Sequence, residues 1–216
     1  MIDVQELSKT YSQGQSTVTA LSPISFHVSK AQSVAIVGQS GSGKTTLLSL
    51  LAGLEIPSSG RVVIKEQSLF DLNEKQRSDF RAHHMGFVFQ QYHLMPHLTA
   101  IENVCLPLDI LQADGKRQDK ASAFLEKVGL ADRMNHLPSK LSGGECQRVA
   151  IARAFVASPS IVLADEPSGN LDPKTGDAVM DLLFELIHEH QMTLMMVTHD
   201  QNLAARCDKI ITMQEV

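Results

Sequence analysis

Residues 38–45 read Gly-Gln-Ser-Gly-Ser-Gly-Lys-Thr, a match to GxxxxGK[ST] set between an apolar run and a stretch of helical composition. The run Ser33-Val34-Ala35-Ile36-Val37 has the length of one buried strand, and the leucine-rich residues 46–53 favour a helix. Strand, glycine-rich turn and helix in that order restrict the chain to folds in which a strand feeds a loop into a helix N-terminus. Gly38, Gly41 and Gly43 let the backbone curl so that successive N–H groups converge. The helix end adds a partial positive charge. Gln39, Ser40, Ser42 and Thr46 complete the loop and the first helical turn. A loop of this kind binds phosphate: Lys44 is expected to neutralise the β and γ phosphates of a nucleotide, and the Thr45 hydroxyl to coordinate Mg²⁺.

The rest of the chain alternates strand and helix around one interruption. Ile2, Val4 and Leu7 mark a first strand, and residues 18–28 a second beyond the polar turn Ser12-Gln13-Gly14-Gln15. After the turn Pro57-Ser58-Ser59-Gly60, strands are expected over 61–65 and 85–89. Residues 100–111, 116–128 and 144–157 carry helical spacing. Strands follow at 161–164, 193–197 and 209–213, and Val179, Leu182, Leu183, Leu186 and Ile187 fall on one helical face. The pattern predicts a parallel α/β core with a helical insertion, in one domain.

Two further segments bear chemistry. The apolar strand 161–164 delivers Asp165 and Glu166, adjacent carboxylates suited to holding a metal and to acting as general base beside a γ-phosphate. Leu141-Ser142-Gly143-Gly144-Glu145-Cys146-Gln147 opens a helix with a good N-cap, Ser142, and bare glycines, a second anion-binding end. One nucleotide needs a single cradle, so the second suggests a nucleotide held by another copy of the chain.

Composition sets the bounds. The 216 residues carry 19 Lys+Arg against 24 Asp+Glu, a net charge of -5, which leaves no basic field for a nucleic acid. Cys105, Cys146 and Cys207 are odd in number and far apart, fitting a reducing compartment rather than a disulfide framework. No apolar stretch approaches the ~20 residues that span a bilayer. The opening Met-Ile-Asp-Val-Gln lacks a basic leader segment, so no signal peptide is expected. His83, His84, His93, His97, His188 and His190 cluster without finger-like spacing and are read as surface residues, not a zinc site.

With those residues in view, the whole chain resembles the ATP-binding subunits of ABC transporters. Residues 38–45 resemble the Walker A loop, 161–166 Walker B, 141–147 the LSGGQ-type signature, and Ser168-Gly169-Asn170-Leu171-Asp172 the D-loop. The resemblance implies a P-loop NTPase (RecA-like) core with an N-terminal antiparallel β subdomain and a helical subdomain at about 91–158, the core being about 1–90 and 159–216. It also implies roles. Gln90 would help hold Mg²⁺ and the attacking water, His199 would contact the γ-phosphate, and Tyr11 would stack on adenine. Leu141, Ser142, Gly143, Gly144, Glu145 and Gln147 would close on ATP bound by the opposite subunit of a homodimer, with Asp172 in the D-loop beside them. The cofactors implied are ATP and Mg²⁺.

Residues 86–108 and 164–172 are similar to the lipoprotein-release, macrolide-export and cell-division group (LolD, MacB and FtsE types), and the segments 174–177 and 203–208 look closest to its YbbA-like members. Such subunits sit on the cytoplasmic face of the inner membrane beside a transmembrane permease with a large extracytoplasmic domain. Leu94, Met95, Pro96 and Leu98 are then either part of the groove that receives the partner or packing for the helical insertion. The alternative is an ABC-type ATPase acting as a nucleotide-dependent scaffold or on nucleic acid, and the charge argues against the latter. No C-terminal regulatory domain is expected.

Overall fold

A computed structural model of the chain describes residues 1–14, 16–112 and 115–213. Gln15, the end of the expected polar turn, lies outside the described residues. The molecule forms two compact units, Met1–Arg81 with Thr193–Val216, and Ala82–Met192.

In the first unit β1 (Ile2–Gln13) pairs antiparallel with β2 (Ser16–Val28). Then follow β3 (Ser33–Val37), α1 (Lys44–Leu51), β4 (Ser59–Ile64) and β5 (Gln67–Ser68). The antiparallel sheet has the order β2-β1-β4-β5. Ile2 and Val4 point into its core, and the inward parity then switches to Leu7. The β1–β2 register shifts between Val4 and Leu7, and Glu6 takes a φ of 45°, so a bulge turns the strand over by one residue. This explains why Ile2, Val4 and Leu7 do not share a period of two.

Late in the chain, β8 (Thr193–Val197) and β9 (Lys209–Thr212) flank β3, both parallel to it, with the short α7 (Gln201–Ala204) between them in sequence. Every residue of β3 and of β8 is buried, as expected of parallel strands covered on both faces. The Ser33 N–H and hydroxyl each donate to Asp208 Oδ2 at 2.7 Å, fixing the start of β3 against the turn into β9. On α1, Leu47, Leu48, Leu50 and Leu51 are buried, each such side chain contributing about 1.5–3 kcal/mol.

The unit boundary falls within α2 (Glu74–His84), a helix that the sequence reading did not expect, since it has no apolar stripe and buries only Arg77. Its signal is local: Gln76 N–H donates to Asn73 Oδ1 at 3.0 Å while Asn73 N–H donates to Gln76 Oε1 at 2.9 Å, a reciprocal cap.

In the second unit β6 (Met85–Phe89) runs parallel to β7 (Ile161–Asp165). Between them come α3 (Ala100–Ile110), α4 (Arg117–Lys127) and α5 (Gly143–Phe155), and α6 (Pro173–Glu189) follows β7. α5 is apolar nearly all round because α3, α4, α6 and β6 pack on it, with Phe155 fully buried at its end. The buried face of α6 is Val179, Met180, Leu183, Leu186 and Ile187, so Met180 takes the place expected of Leu182, which is half-buried. Among the described residues no helix is long and apolar enough to cross a membrane.

Candidate functional site

Parallel strands place their carboxyl ends on one side, and each unit puts its chemistry there. In the first unit β3 ends at Val37 and β8 at Val197, paired one residue apart with Ile36. The glycine-rich loop therefore leaves one strand end and Thr198–His199 the next, with Thr198 N–H donating to the Ile36 carbonyl at 3.2 Å. The register brings the loop and His199 to a single edge, and His199 is exposed there.

Gly41 and Gly43 adopt φ of 85° and 86°, while Gly38 is extended. At Gly43 the requirement is twofold, because a Cβ would also lie 2.3 Å from the Ala20 carbonyl oxygen. α1 starts at once after Gly43 with no side-chain cap. Its first N–H groups thus have no side-chain acceptor of the kind that Thr99, Ser142 and Asp172 provide to α3, α5 and α6. Lys44 folds over the loop, its Nζ donating to the carbonyls of Gly38 (2.9 Å) and Gln39 (2.6 Å). Gln39, Ser40 and Thr45 are exposed, Thr46 is half-buried, and Ser42 is buried with an Oγ that finds no hydrogen-bond partner among the described residues.

Tyr11 sits on β1, 41% exposed. Its hydroxyl donates to the Glu55 carboxylate, and the Lys9 ammonium stands 4.8 Å from the ring centroid. That hydrogen bond, then burial and the Glu55 charge, push the phenol up to about 12. The ring is thus oriented by its neighbours before any ligand arrives.

In the second unit Phe89 pairs with Asp165 at the ends of β6 and β7. Gln90 and Glu166 are consequently the first residues beyond two adjacent strand ends. Asp165 and Glu166 are both half-buried. Glu166 takes a left-handed φ of 43°, a conformation costing an L-residue about 1–2 kcal/mol, and the turn closes when Gly169 N–H reaches the Glu166 carbonyl at 2.9 Å. The D-loop folds back on Gln90 through Asn170, and Asp172 caps α6, accepting from Thr175 N–H at 3.1 Å. The Thr175 contacts hold the Asp172 carboxyl below the usual carboxylate range.

The signature helix begins with a capping box. Ser142 Oγ accepts from Glu145 N–H, and Glu145 Oε2 accepts from the Ser142 N–H and hydroxyl, each at 2.8 Å. Glu145 is held low by the Ser142 N–H first, then by its hydroxyl and Arg133. Leu141, Ser142 and Gly143 lie at least partly open to solvent and Gly144 is buried, where a Cβ would meet Thr175 Cγ2 at 2.4 Å. Gln147 is placed otherwise than a nucleotide-facing residue: it is fully buried, and its amide donates to the Pro167 carbonyl at 2.5 Å. It ties the signature helix to the turn that carries Glu166.

Sequence reasoning missed the side chains that hold the loop after Gln90. Asn103, fully buried on α3, accepts from Met95 N–H at 2.7 Å and donates to the Met95 and Leu98 carbonyls. Arg153, at the end of α5, donates to the Tyr92 and His93 carbonyls, two consecutive residues with left-handed φ. A lone polar residue between the buried Ala100, Val104 and Leu108 was the signal for Asn103. Met95 and Pro96 are exposed on this loop, while Leu94 and Leu98 are half-buried.

A phosphate loop with a histidine at one pair of strand ends, and a glutamine with two carboxylates at another, belongs to the nucleoside triphosphate hydrolases. The family profile for ABC transporters matches residues 21–169. The chain belongs to that family, as an ATP-binding cassette that hydrolyses ATP. It is 48% identical over 213 residues to the ABC transporter ATP-binding protein YbbA of Escherichia coli K12, covering 98% of this chain and 93% of that one. It is 46% identical over 215 residues to the lipoprotein-releasing system ATP-binding protein LolD of Shewanella oneidensis, covering 99% and 94%. The fold matches the dimeric post-hydrolysis structure of the cassette MJ0796 bound to ADP and Pi with a TM-score of 0.92, at 39% identity over 100% of this chain and 95% of that one. The antiparallel β sheet and the parallel α/β core are those of an ABC cassette.

Proposed function

We propose that two copies of this chain close around two ATP molecules on the cytoplasmic face of the inner membrane. Hydrolysis then drives a transmembrane permease with a large extracytoplasmic domain, in export, lipoprotein or lipid extraction, or force transmission. The observation that carries the reading is the phosphate loop: left-handed glycines leading into a helix whose first N–H groups have no side-chain cap. The LolD relative, named for lipoprotein release, and the dimeric MJ0796 cassette support the assembly and the output.

In this reading Gly38, Gln39, Ser40, Gly41, Ser42, Gly43, Lys44, Thr45 and Thr46 cradle the phosphates, and Tyr11 offers its ring to adenine. Glu166 accepts the proton of the attacking water and His199 contacts the γ-phosphate. Leu141, Ser142, Gly143 and Gly144 face ATP held by the other copy, with Asp172 beside them. Glu145 serves by capping that helix end, and Gln147 by anchoring it. Thr45, Asp165 and Gln90 are the residues that would hold Mg²⁺. They supply a hydroxyl, a carboxylate and an amide oxygen, the hard oxygen donors this ion takes. The cation would neutralise charge on the β and γ phosphates.

Lys44→Ala should lose ATP binding by at least about tenfold, read by equilibrium titration. Glu166→Gln should bind ATP, stall hydrolysis and accumulate as a dimer in sedimentation. Normal turnover by Glu166→Gln would remove it as the base. Affinity purification of Glu166→Gln from detergent-solubilised membranes with ATP should bring down a multi-span protein, and its absence would sink the permease assignment.

A further inference from the structure

Gln90 and Asn170 are joined by two hydrogen bonds of opposite sense. Asn170 Nδ2 donates to the Gln90 backbone carbonyl at 2.9 Å, and Gln90 Nε2 donates to Asn170 Oδ1 at 3.2 Å. The first bond orients the second. With its NH₂ end committed to a carbonyl, Asn170 must present Oδ1 to the Gln90 side chain, and an oxygen there can only accept. Gln90 therefore turns its own NH₂ end toward the D-loop. Its carbonyl oxygen Oε1 is the end left for a cation or a water. An unanchored amide would be free to sample both orientations.

Gly169 makes the seat. A Cβ at Gly169 would lie 2.8 Å from Gln90 Nε2, closer than Cβ atoms approach, and a tight 3.2 Å from Cδ. Its φ lies outside the left-handed region, so alanine is compatible with the backbone, and the three nearest atoms to that Cβ all belong to the Gln90 side chain. That amide is the end of a flexible side chain, so it would move before the fold did.

We infer that Asn170, seated by Gly169, is a positioning residue that sets which end of the Gln90 amide faces the reacting phosphate. The inference rests on the assignment of Gln90 to the hydrolytic site. It also ties the D-loop to the orientation of Gln90 within one chain.

The test uses the full chain, with steady-state ATPase rates and hydrogen–deuterium exchange of the nucleotide-free protein over residues 88–93. Asn170→Ala should lower kcat about tenfold, equivalent to about 1.4 kcal/mol, leave KM for ATP within about twofold, and speed exchange in that segment severalfold. In the Gln90→Ala background the same substitution should cost nothing more. Gly169→Ala should reproduce the loss and likewise cost nothing more in the Gln90→Ala background. It carries the test by itself if Asn170→Ala melts early, since it leaves Asn170 intact. Slow Gln90→Ala with full-rate Asn170→Ala, or losses that add in the double variant, would overturn the inference and leave the role of Gln90 standing. Wild-type turnover by Gln90→Ala would instead remove Gln90 from the hydrolytic site, and the positioning role with it.

Discussion

Burial governs the reactive side chains one by one. Cys105, Cys146 and Cys207 are all pushed up, chiefly by desolvation, and Cys207 reaches about 11 with the Asp208 charge adding to the effect. Cys146, inside the signature, packs with its thiol toward the Pro138 carbonyl at 3.6 Å, away from any role as a nucleophile. At pH 8 a thiol reagent should titrate the native protein far more slowly than the unfolded chain, which should give three equivalents; rapid native reaction at Cys146 would contradict this burial. Asn103 is the residue whose loss should cost most outside the phosphate site. Asn103→Ala strands the Met95 N–H and two carbonyls and should destabilise by about 1–3 kcal/mol in denaturant titration.

At the scale of elements, the helix N-termini differ in how they are closed. α3, α5 and α6 close their N-termini with Thr99, Ser142 and Asp172, whereas α1 does not. Ser142→Ala should cost about 1 kcal/mol, or roughly 2–4 °C in Tm, through the lost cap. A bulky residue at 142 should further impair ATP-dependent dimerisation while leaving monomer affinity for ATP unchanged, which sedimentation and titration separate. The capped carboxylates also set an acid limit. Glu145, Asp172 and Asp208 all lie below their ordinary values in the folded state. The unfolded chain therefore binds more protons in that range, and stability rises with pH through it. Their contribution should be fully present above the ordinary carboxylate values near pH 4 and lost as pH falls through the folded ones. Glu145→Gln should flatten the acid side of a Tm–pH profile; an unchanged slope would mean that Glu145 does not titrate with folding.

For the whole molecule, charge and partner choice belong together. A net charge of -5 gives the chain no long-range attraction for a polyanion. At low salt, where such attraction is strongest, an electrophoretic mobility shift should show no saturable binding to duplex DNA or RNA. Saturable binding would revive the nucleic-acid alternative. Met95 and Pro96 stay exposed, while Asn103 and Arg153 hold the backbone of the same loop through hydrogen bonds.

Most of the strands and helices, the glycine-rich loop into α1, the adjacent carboxylates at a strand end and the capped start of α5 were legible in the sequence, because each is a local pattern of spacing, period or capping chemistry, whereas the short β5 and α7 were not. α2 escaped because it lacks a stripe, and its Asn73–Gln76 cap was the only mark it left. Which side chains meet across strand ends was another matter. Phe89 opposite Asp165, Asn170 on Gln90, Gln147 on the Pro167 carbonyl and Arg153 under Tyr92 depend on register and packing between residues 20 to 80 positions apart. No local periodicity encodes those pairings. They exist only once the parallel strands have set their ends level and the helices have packed, and so the tertiary structure alone decided how Gln90 is held and why Gln147 faces inward.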